Sequence, residues 1–291
     1  MFLGMEFKRD RENKIFFVNQ TKNIEQLAEK FRVLDAHPVK IPAQKSSIAR
    51  IETETKVFEN VNLFQQLAGS LLYLERCTRK DISFTTNLIC RYMSKPTKVV
   101  WEIAKYCLRF LYSTKNQNLI LGGKVSSPSR LLTIFADAGW GPNRNGRRST
   151  TGFHIFFNNH CVESNTRLQR TVATSSCESE LYAGCDAVKT TIWWVAIINT
   201  LGIFPKQEKV PIYIDNKGGR DLMHQAGNFR RTKHIDIRYY FVREKDIQGI
   251  IAIRPVKSSD NIADLNTKAL DRVLFNRHAA AVMSGLQGVV F

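Results

Sequence analysis

Leu132-Thr-Ile-Phe-Ala-Asp137-Ala-Gly-Trp140 is the stretch on which the reading of the whole chain turns. The apolar and β-branched run over 131–135 predicts a buried strand. That strand delivers one carboxylate, Asp137, where a glycine and a loop follow. An unpaired charge in a buried strand is costly, so something cationic is expected to meet it.

The composition narrows what that partner is. The 291 residues carry 43 Lys+Arg against 26 Asp+Glu, a formal net charge of +17. So large an excess points to a polyanionic partner, with nucleic acid favoured over a membrane surface in the absence of an amphipathic anchor. Hydrophobic content of 43% supports a core, and no apolar run is long enough to span a bilayer. The opening Met-Phe-Leu-Gly-Met-Glu lacks the basic start and apolar stretch of a signal peptide. Cysteines 77, 90, 107, 161, 177 and 185 contain no CxxC pair and mostly fall in apolar periodic segments. They read as reduced thiols of an intracellular protein, neither a zinc site nor a disulfide frame.

Upstream, residues 2–18 predict a hairpin around Arg9-Asp-Arg-Glu-Asn13, and Thr21 is expected to cap a helix reaching about Val33. Residues 35–57 show no periodicity and read as a long loop. Three helices are expected next: about 60–77 with Leu63, Leu67, Leu71 and Leu74 in register, one headed by Asp81, and one beginning at Pro96-Thr97. Gly122-Gly123 through Ser129 concentrates Gly, Ser and Pro and holds the expected domain boundary. Downstream, 152–157 and 161–164 flank the two-residue turn Asn158-Asn159. A long helix from Ser176 to about Leu201 follows, then a strand at 210–214, a short helix to about 226 and a basic helix at 233–247. A strand at 250–255 and a terminal helix near Ile262–Leu270 complete the order. Three antiparallel strands followed by crossovers predict an α/β mixed sheet with flanking helices.

Four carboxylates stand at strand ends and helix starts in this order: Asp137, Glu180, Asp215 and Asp264. Such positions commonly gather at one crevice. Four acids converging there would repel one another unless divalent cations held them, and hard oxygen donors suit Mg²⁺ or Mn²⁺. Two such ions, roughly 3.5–4 Å apart, would clamp an in-line phosphoryl displacement. Taken singly, Asp137 also fits a strand-end turn, and Asp264 a helix N-terminal charge favoured by the macrodipole. Of the two neighbouring glutamates, Glu178 has capping-box spacing from Ser175 and should serve the helix start. Glu180 lies about 200° further round the helix. It shares a face with the small residues Ala183, Gly184 and Ala187, which would let it approach the sheet.

These residues carry a resemblance. Phe2-Leu-Gly-Met-Glu6, Leu67-Ala-Gly-Ser-Leu-Leu-Tyr-Leu74, Cys77-Thr-Arg-Lys-Asp-Ile82, Trp101-Glu102 and Leu108-Arg-Phe-Leu-Tyr-Ser-Thr114 resemble the region after the palm of Copia-type (Ty1/copia) retrotransposon reverse transcriptases. Asp137-Ala-Gly-Trp140, Arg148-Ser-Thr-Thr-Gly152, Ser175-Ser-Cys-Glu-Ser-Glu-Leu-Tyr182, Asp215-Asn216, Arg231-Thr-Lys-His-Ile-Asp-Ile-Arg238 and Ala263-Asp264 resemble the RNase H of the same polyprotein. The resemblance implies an RNase H-like mixed sheet over 131–291. It implies a truncated, mainly helical reverse-transcriptase thumb- or connection-like region over 1–122, and a linker over 123–130. It implies hydrolysis of the RNA strand of RNA–DNA hybrids, with the four carboxylates as ligands of two Mg²⁺ or Mn²⁺ ions. The partners expected are the hybrid and the remainder of the Pol polyprotein, with no membrane. The compartment implied is the cytoplasm, in the particle of the parent element, or the nucleus.

Departures from the family pattern are equally specific. The polymerase motif Tyr-x-Asp-Asp is absent from these residues, so the chain reads as a terminal fragment, or a host copy of one starting at an internal Met, that does not polymerise. Gly139 stands where the family often has Asp, and Cys177 where it has Thr. Asn266-Thr-Lys-Ala replaces Leu-Thr-Lys-Pro, which is expected to loosen the last helix. Among the basic residues, Arg144, Arg147 and Arg148 follow the Asp137 strand closely enough to reach a phosphate. Arg230, Arg231, Lys233, His234 and Arg238 form the densest cluster, either a solvated helix face or a surface tracking the hybrid backbone. No second histidine at helical spacing accompanies His234, which favours a phosphate contact or a structural role over metal ligation. Trp193 and Trp194, mid-helix, are expected in the core. The rival to a ribonuclease is a catalytically idle nucleic-acid-binding remnant, whose helices over 60–114 grip a duplex.

Overall fold

A computed structural model describes residues 1–125, 127–140, 146–224 and 233–286, without the side chains of 233–236. The chain divides into one unit of Met1–Gly122 with Lys268–Gly285, and another of Gly123–Thr267 with Leu286. The sequence reading assigns all of 131–291 to one domain, whereas here 268–285 belong with the first unit.

In the first unit, strands β1 (Glu6–Asp10) and β2 (Ile15–Asn19) form the expected hairpin, Asp10 paired with Ile15. Helix α1 (Thr21–Lys30) has Gln20 at the N-cap position, not the expected Thr21, whose hydroxyl donates to the Lys115 carbonyl at 2.9 Å; it buries Ile24, Leu27 and Ala28. The segment read as a loop contains a six-residue helix, α2 (Lys45–Arg50), with none of its residues buried. Lacking an apolar stripe, it left no periodic signal; Arg50 ties it to Glu54 and Glu102. Helices α3 (Val61–Cys77), α4 (Ser83–Cys90) and α5 (Lys98–Ser113) follow, with Asn60 and Thr97 as N-caps of α3 and α5. A single 3₁₀ turn, Lys80–Ile82, leads into α4. Within that turn Asp81 takes a two-point ion pair from the buried Arg79, at 2.9 and 2.7 Å. Strand β3 (Leu119–Gly122) adds antiparallel to β2, a four-residue element too short to leave a pattern. A helix at Arg272–Ser284, capped by Asp271, returns to this unit, and its Phe275 meets the edge of Phe110.

The second unit is built on a five-stranded sheet: β4 (Leu132–Gly139), β5 (Thr150–Phe157), β6 (His160–Leu168), β7 (Val210–Ile214) and β8 (Ile251–Pro255). The spatial order is β6-β5-β4-β7-β8. The first three strands run antiparallel, while β7 and β8 are parallel to β4 and to each other. Asn158 and Asn159, with φ of 48° and 66°, make the tight β5–β6 turn, since asparagine tolerates the left-handed region that such hairpins demand. Helix α6 (Ser176–Leu201) lays Leu181, Cys185, Val188 and Ile198 onto Ile134, Ala136, Ile212, Ile214 and Ile253. On the alternate β4 position, Phe135 stacks with Tyr213 at 5.1 Å. Helices α7 (Lys217–His224) and α8 (Lys233–Ile247) follow β7. The helix expected at Ile262–Leu270 is only α9 (Asp264–Thr267). No helix among the described residues is long and apolar enough to cross a membrane.

Candidate metal centre

Asp137 lies near the end of β4, where its register partner on β5 is Gly152. A Cβ at Gly152 would come within 2.6 Å of the Asn266 Cβ, so the glycine lets the 266–267 segment lie directly against β5. That segment is pinned by Asn266, whose Nδ2 donates to the Phe153 carbonyl at 2.9 Å and whose Oδ1 accepts from Ser164 at 3.1 Å. The Asn266 departure therefore anchors the segment, contrary to the expected loosening. Thr267 donates its hydroxyl to Asp137 Oδ2.

Asp215 follows directly on β7. The buried Asn261 donates Nδ2 to the Ala136 carbonyl at 3.1 Å and to Asp215 Oδ1 at 3.4 Å, joining the β4 backbone to the second carboxylate. Glu180 comes from the second turn of α6. The start of α7 closes over it, because a Cβ at Gly219 would reach the Glu180 Cβ at 2.7 Å. Small residues on α6 act as expected: a Cβ at Gly184 would lie 3.2 Å from the Ile214 Cδ1 and nearer still to the Met223 side chain.

The result is a group of three acids. Asp137, Glu180 and Asp215 each place one carboxylate oxygen within 4.8 Å of the others, the first two buried and Asp215 half-buried. Burial and the charges of Asp137 and Asp215 raise the Glu180 carboxyl well above its ordinary value, against a hydrogen bond from the Ala138 backbone. Glu180 Oε2 is buried without a hydrogen-bond partner among the described residues. Asp264, the first residue of α9, is buried too and adds to the upward push on Glu180, but it is not part of the close trio.

Glu178 is equally buried and differently employed. Its Oε2 accepts from the backbone and hydroxyl of Thr174, both at 2.6 Å, and its Oε1 accepts from Tyr182 at 2.5 Å. Ser175 Oγ in turn accepts from the Glu178 N–H. The capping role holds, although the backbone N–H that it reaches lies one residue before the cap.

Arg147 and Arg148 are exposed just before β5. Arg144, Arg230 and Arg231 fall outside the described residues, and Lys233 and His234 belong to the first turn of α8 with undescribed side chains. Arg238 lies half-buried, its guanidinium 4.0 Å above the Tyr182 ring. Trp194 is half-buried and donates to Glu163 at 2.8 Å, whereas Trp193 is 57% exposed and outside the core expected for it. Sequence reasoning missed Asn261 and Thr267 as the donors holding two of the carboxylates. No local signal marked them, because each donates to a carboxylate far away in sequence.

No family model matches the chain. Over 278 residues it is 31% identical to the retrovirus-related Pol polyprotein of transposon TNT 1-94 from Nicotiana tabacum, an alignment covering 94% of this chain and 20% of that protein. Over 283 residues it is 29% identical to the Pol polyprotein of transposon RE1 from Arabidopsis thaliana, covering 97% and 19%. These homologues, which match over most of the chain, are Copia-type retrotransposon Pol polyproteins. The chain spans about a fifth of their length. Its second unit is a mixed α/β sheet, three antiparallel strands continued by two parallel ones, with helices against it. A solved RNase H1 isolated from compost, crystallised with an RNA/DNA hybrid, is 11% identical, with 49% of this chain and 99% of that one covered at a TM-score of 0.36.

Proposed function

We propose that this chain is a divalent-cation-dependent ribonuclease that cuts the RNA strand of RNA–DNA hybrids. The observation that carries the reading is the close trio of Asp137, Glu180 and Asp215, two of them buried, with Glu180 Oε2 buried and without a hydrogen-bond partner among the described residues. Carboxylates this close repel one another, and a buried oxygen without a donor is costly. Hard oxygen donors in this number fit Mg²⁺ or Mn²⁺. Asp137, Glu180 and Asp215 would hold the ions, two in number, with Asp264 as the further ligand. When bound, the ions supply an activated water and stabilise the leaving oxygen of an in-line phosphoryl displacement.

The protein's own contribution is placement. Asn261 and Thr267 hold two carboxylates in orientation, and α6 and α7 keep Glu180 away from bulk water. Arg147 and Arg148, with Arg144 in the same segment, offer charge to backbone phosphates. Arg230, Arg231, Lys233, His234 and Arg238 would add charge that positions the hybrid without reading its sequence. The rest of a Pol polyprotein is the natural covalent partner, given the relatives' length. The test is a labelled RNA–DNA hybrid incubated with purified chain, with Mg²⁺ or with EDTA. Cutting confined to the RNA strand and to the Mg²⁺ sample is expected. Binding without cutting under both conditions would replace the ribonuclease with a nucleic-acid-binding remnant.

A further inference from the structure

Thr267 closes α9 and is almost wholly buried. Its hydroxyl has two oxygens in reach: Asp137 Oδ2, in close contact, and the Asp264 carbonyl, at 3.4 Å. A hydroxyl has one proton to donate, and the nearer, charged acceptor takes it. The residue is seated with little freedom. A Cβ at Gly152 would stand 2.7 Å from its Cγ2, and one at Gly139 would stand 2.9 Å from its carbonyl oxygen. Two glycines on neighbouring strands thus clear the slot it fills, and the anchored Asn266 holds the chain on its N-terminal side.

The carboxylate it grips belongs to a cluster of like charges. Repulsion from Glu180 and Asp215 favours turning Asp137 away from them, and the bond from Thr267 is one contact that opposes that rotation. We propose that Thr267 is a positioning residue, which holds Asp137 in the orientation where its carboxylate shares a divalent cation with Glu180 and Asp215. This rests on the metal-centre reading above. Donors behind a metal ligand typically change metal affinity by about 10–100-fold when removed, which sets the expected effect. Gly139 acquires a reason as well: a side chain there would press on the Thr267 backbone and displace the donor.

Calorimetric titration of Mn²⁺ into the full chain without nucleic acid, on wild type, Thr267→Val and Thr267→Ser, tests this. Thr267→Val keeps the shape and loses the donor; Thr267→Ser keeps the donor and loses the methyl. The expected result is roughly tenfold or weaker Mn²⁺ binding by Thr267→Val and binding within about threefold of wild type by Thr267→Ser. The Mg²⁺ midpoint for cutting a hybrid should rise only in the valine variant. Wild type that binds no Mn²⁺ overturns the metal centre itself. Wild-type affinity in Thr267→Val leaves the centre standing and overturns the role of Thr267. Equal weakening in both variants assigns the effect to packing in the glycine slot and likewise overturns it. Should melts in EDTA show that Thr267→Val does not fold, Thr267→Ser against Thr267→Ala gives the same comparison, both lacking the methyl and only alanine lacking the hydroxyl.

Discussion

Glu178 and Glu180 are two residues apart, both buried, and opposite in what surrounds them. Glu178 accepts three hydrogen bonds from Thr174 and Tyr182; Glu180 faces other carboxylates. Glu178→Ala should therefore lower stability by about 0.5–2 kcal/mol, as lost caps do, and leave most hybrid cutting intact. Glu180→Gln should cut slower by orders of magnitude while melting at the same or a higher temperature in EDTA. The reverse pattern in melts and rates would make Glu178 the ligand. The sign of the pH dependence follows from the raised Glu180 carboxyl. Folded Glu180 keeps its proton to higher pH than the unfolded chain, whose value stays near 4.5. Between those two values the folded state binds more protons, so metal-free stability falls as pH rises through that window and levels off above it. Melts in EDTA across pH should show the fall in wild type and a flatter profile in Glu180→Gln; identical profiles would remove Glu180 as its source. The separation of these glutamates was legible from Ser175 and the helical pitch alone, because both are local facts. The roles of Asn261 and Thr267 were not, since each depends on a segment more than forty residues away in sequence coming to rest on its carboxylate.

At the scale of elements, the sequence showed what periodicity and punctuation can show. Ser176–Leu201, Val210–Ile214 and Lys233–Ile247 stand where the pattern put them. What it hid were elements held by tertiary contact: α2 without a buried face, β3 at four residues, and α9 ending at Thr267. The helix Arg272–Ser284 carried its own cap in Asp271 and an apolar face in Phe275, Ala279 and Val282, but assigning the last helix to Asp264 masked it. The contact of β5 with the 266–267 segment depends on Gly152. In Gly152→Ala the new Cβ meets the Asn266 Cβ and, at 3.2 Å, the Asn266 carbonyl carbon, so backbone as well as side chain must yield. We expect about 1–3 kcal/mol lost in denaturant unfolding, as for other overpacked sites, and a weaker response to Mg²⁺. Wild-type stability would mean that the segment yields freely and does not anchor the site.

For the whole molecule, the +17 charge is the dominant fact. Hybrid affinity should fall steeply with salt, since each neutralised phosphate releases counterions. Replacing Arg230, Arg231 and Lys233 together should flatten the slope of log affinity against log salt by up to about three charges' worth; an unchanged slope would return that cluster to an ordinary solvated face. Charge alone explains binding to any nucleic acid, however, and the acidic trio is what separates an enzyme from a binder. The most direct measurement is therefore single-turnover cutting of a strand-labelled RNA–DNA hybrid in Mg²⁺ by wild type, Asp137→Asn and Asp215→Asn, each first shown to be folded and to bind the hybrid. Cutting of the RNA strand by wild type, abolished in both variants with binding retained, is the predicted result. Equal cutting by a folded Asp137→Asn or Asp215→Asn protein, or none by wild type, would contradict the metal-dependent ribonuclease.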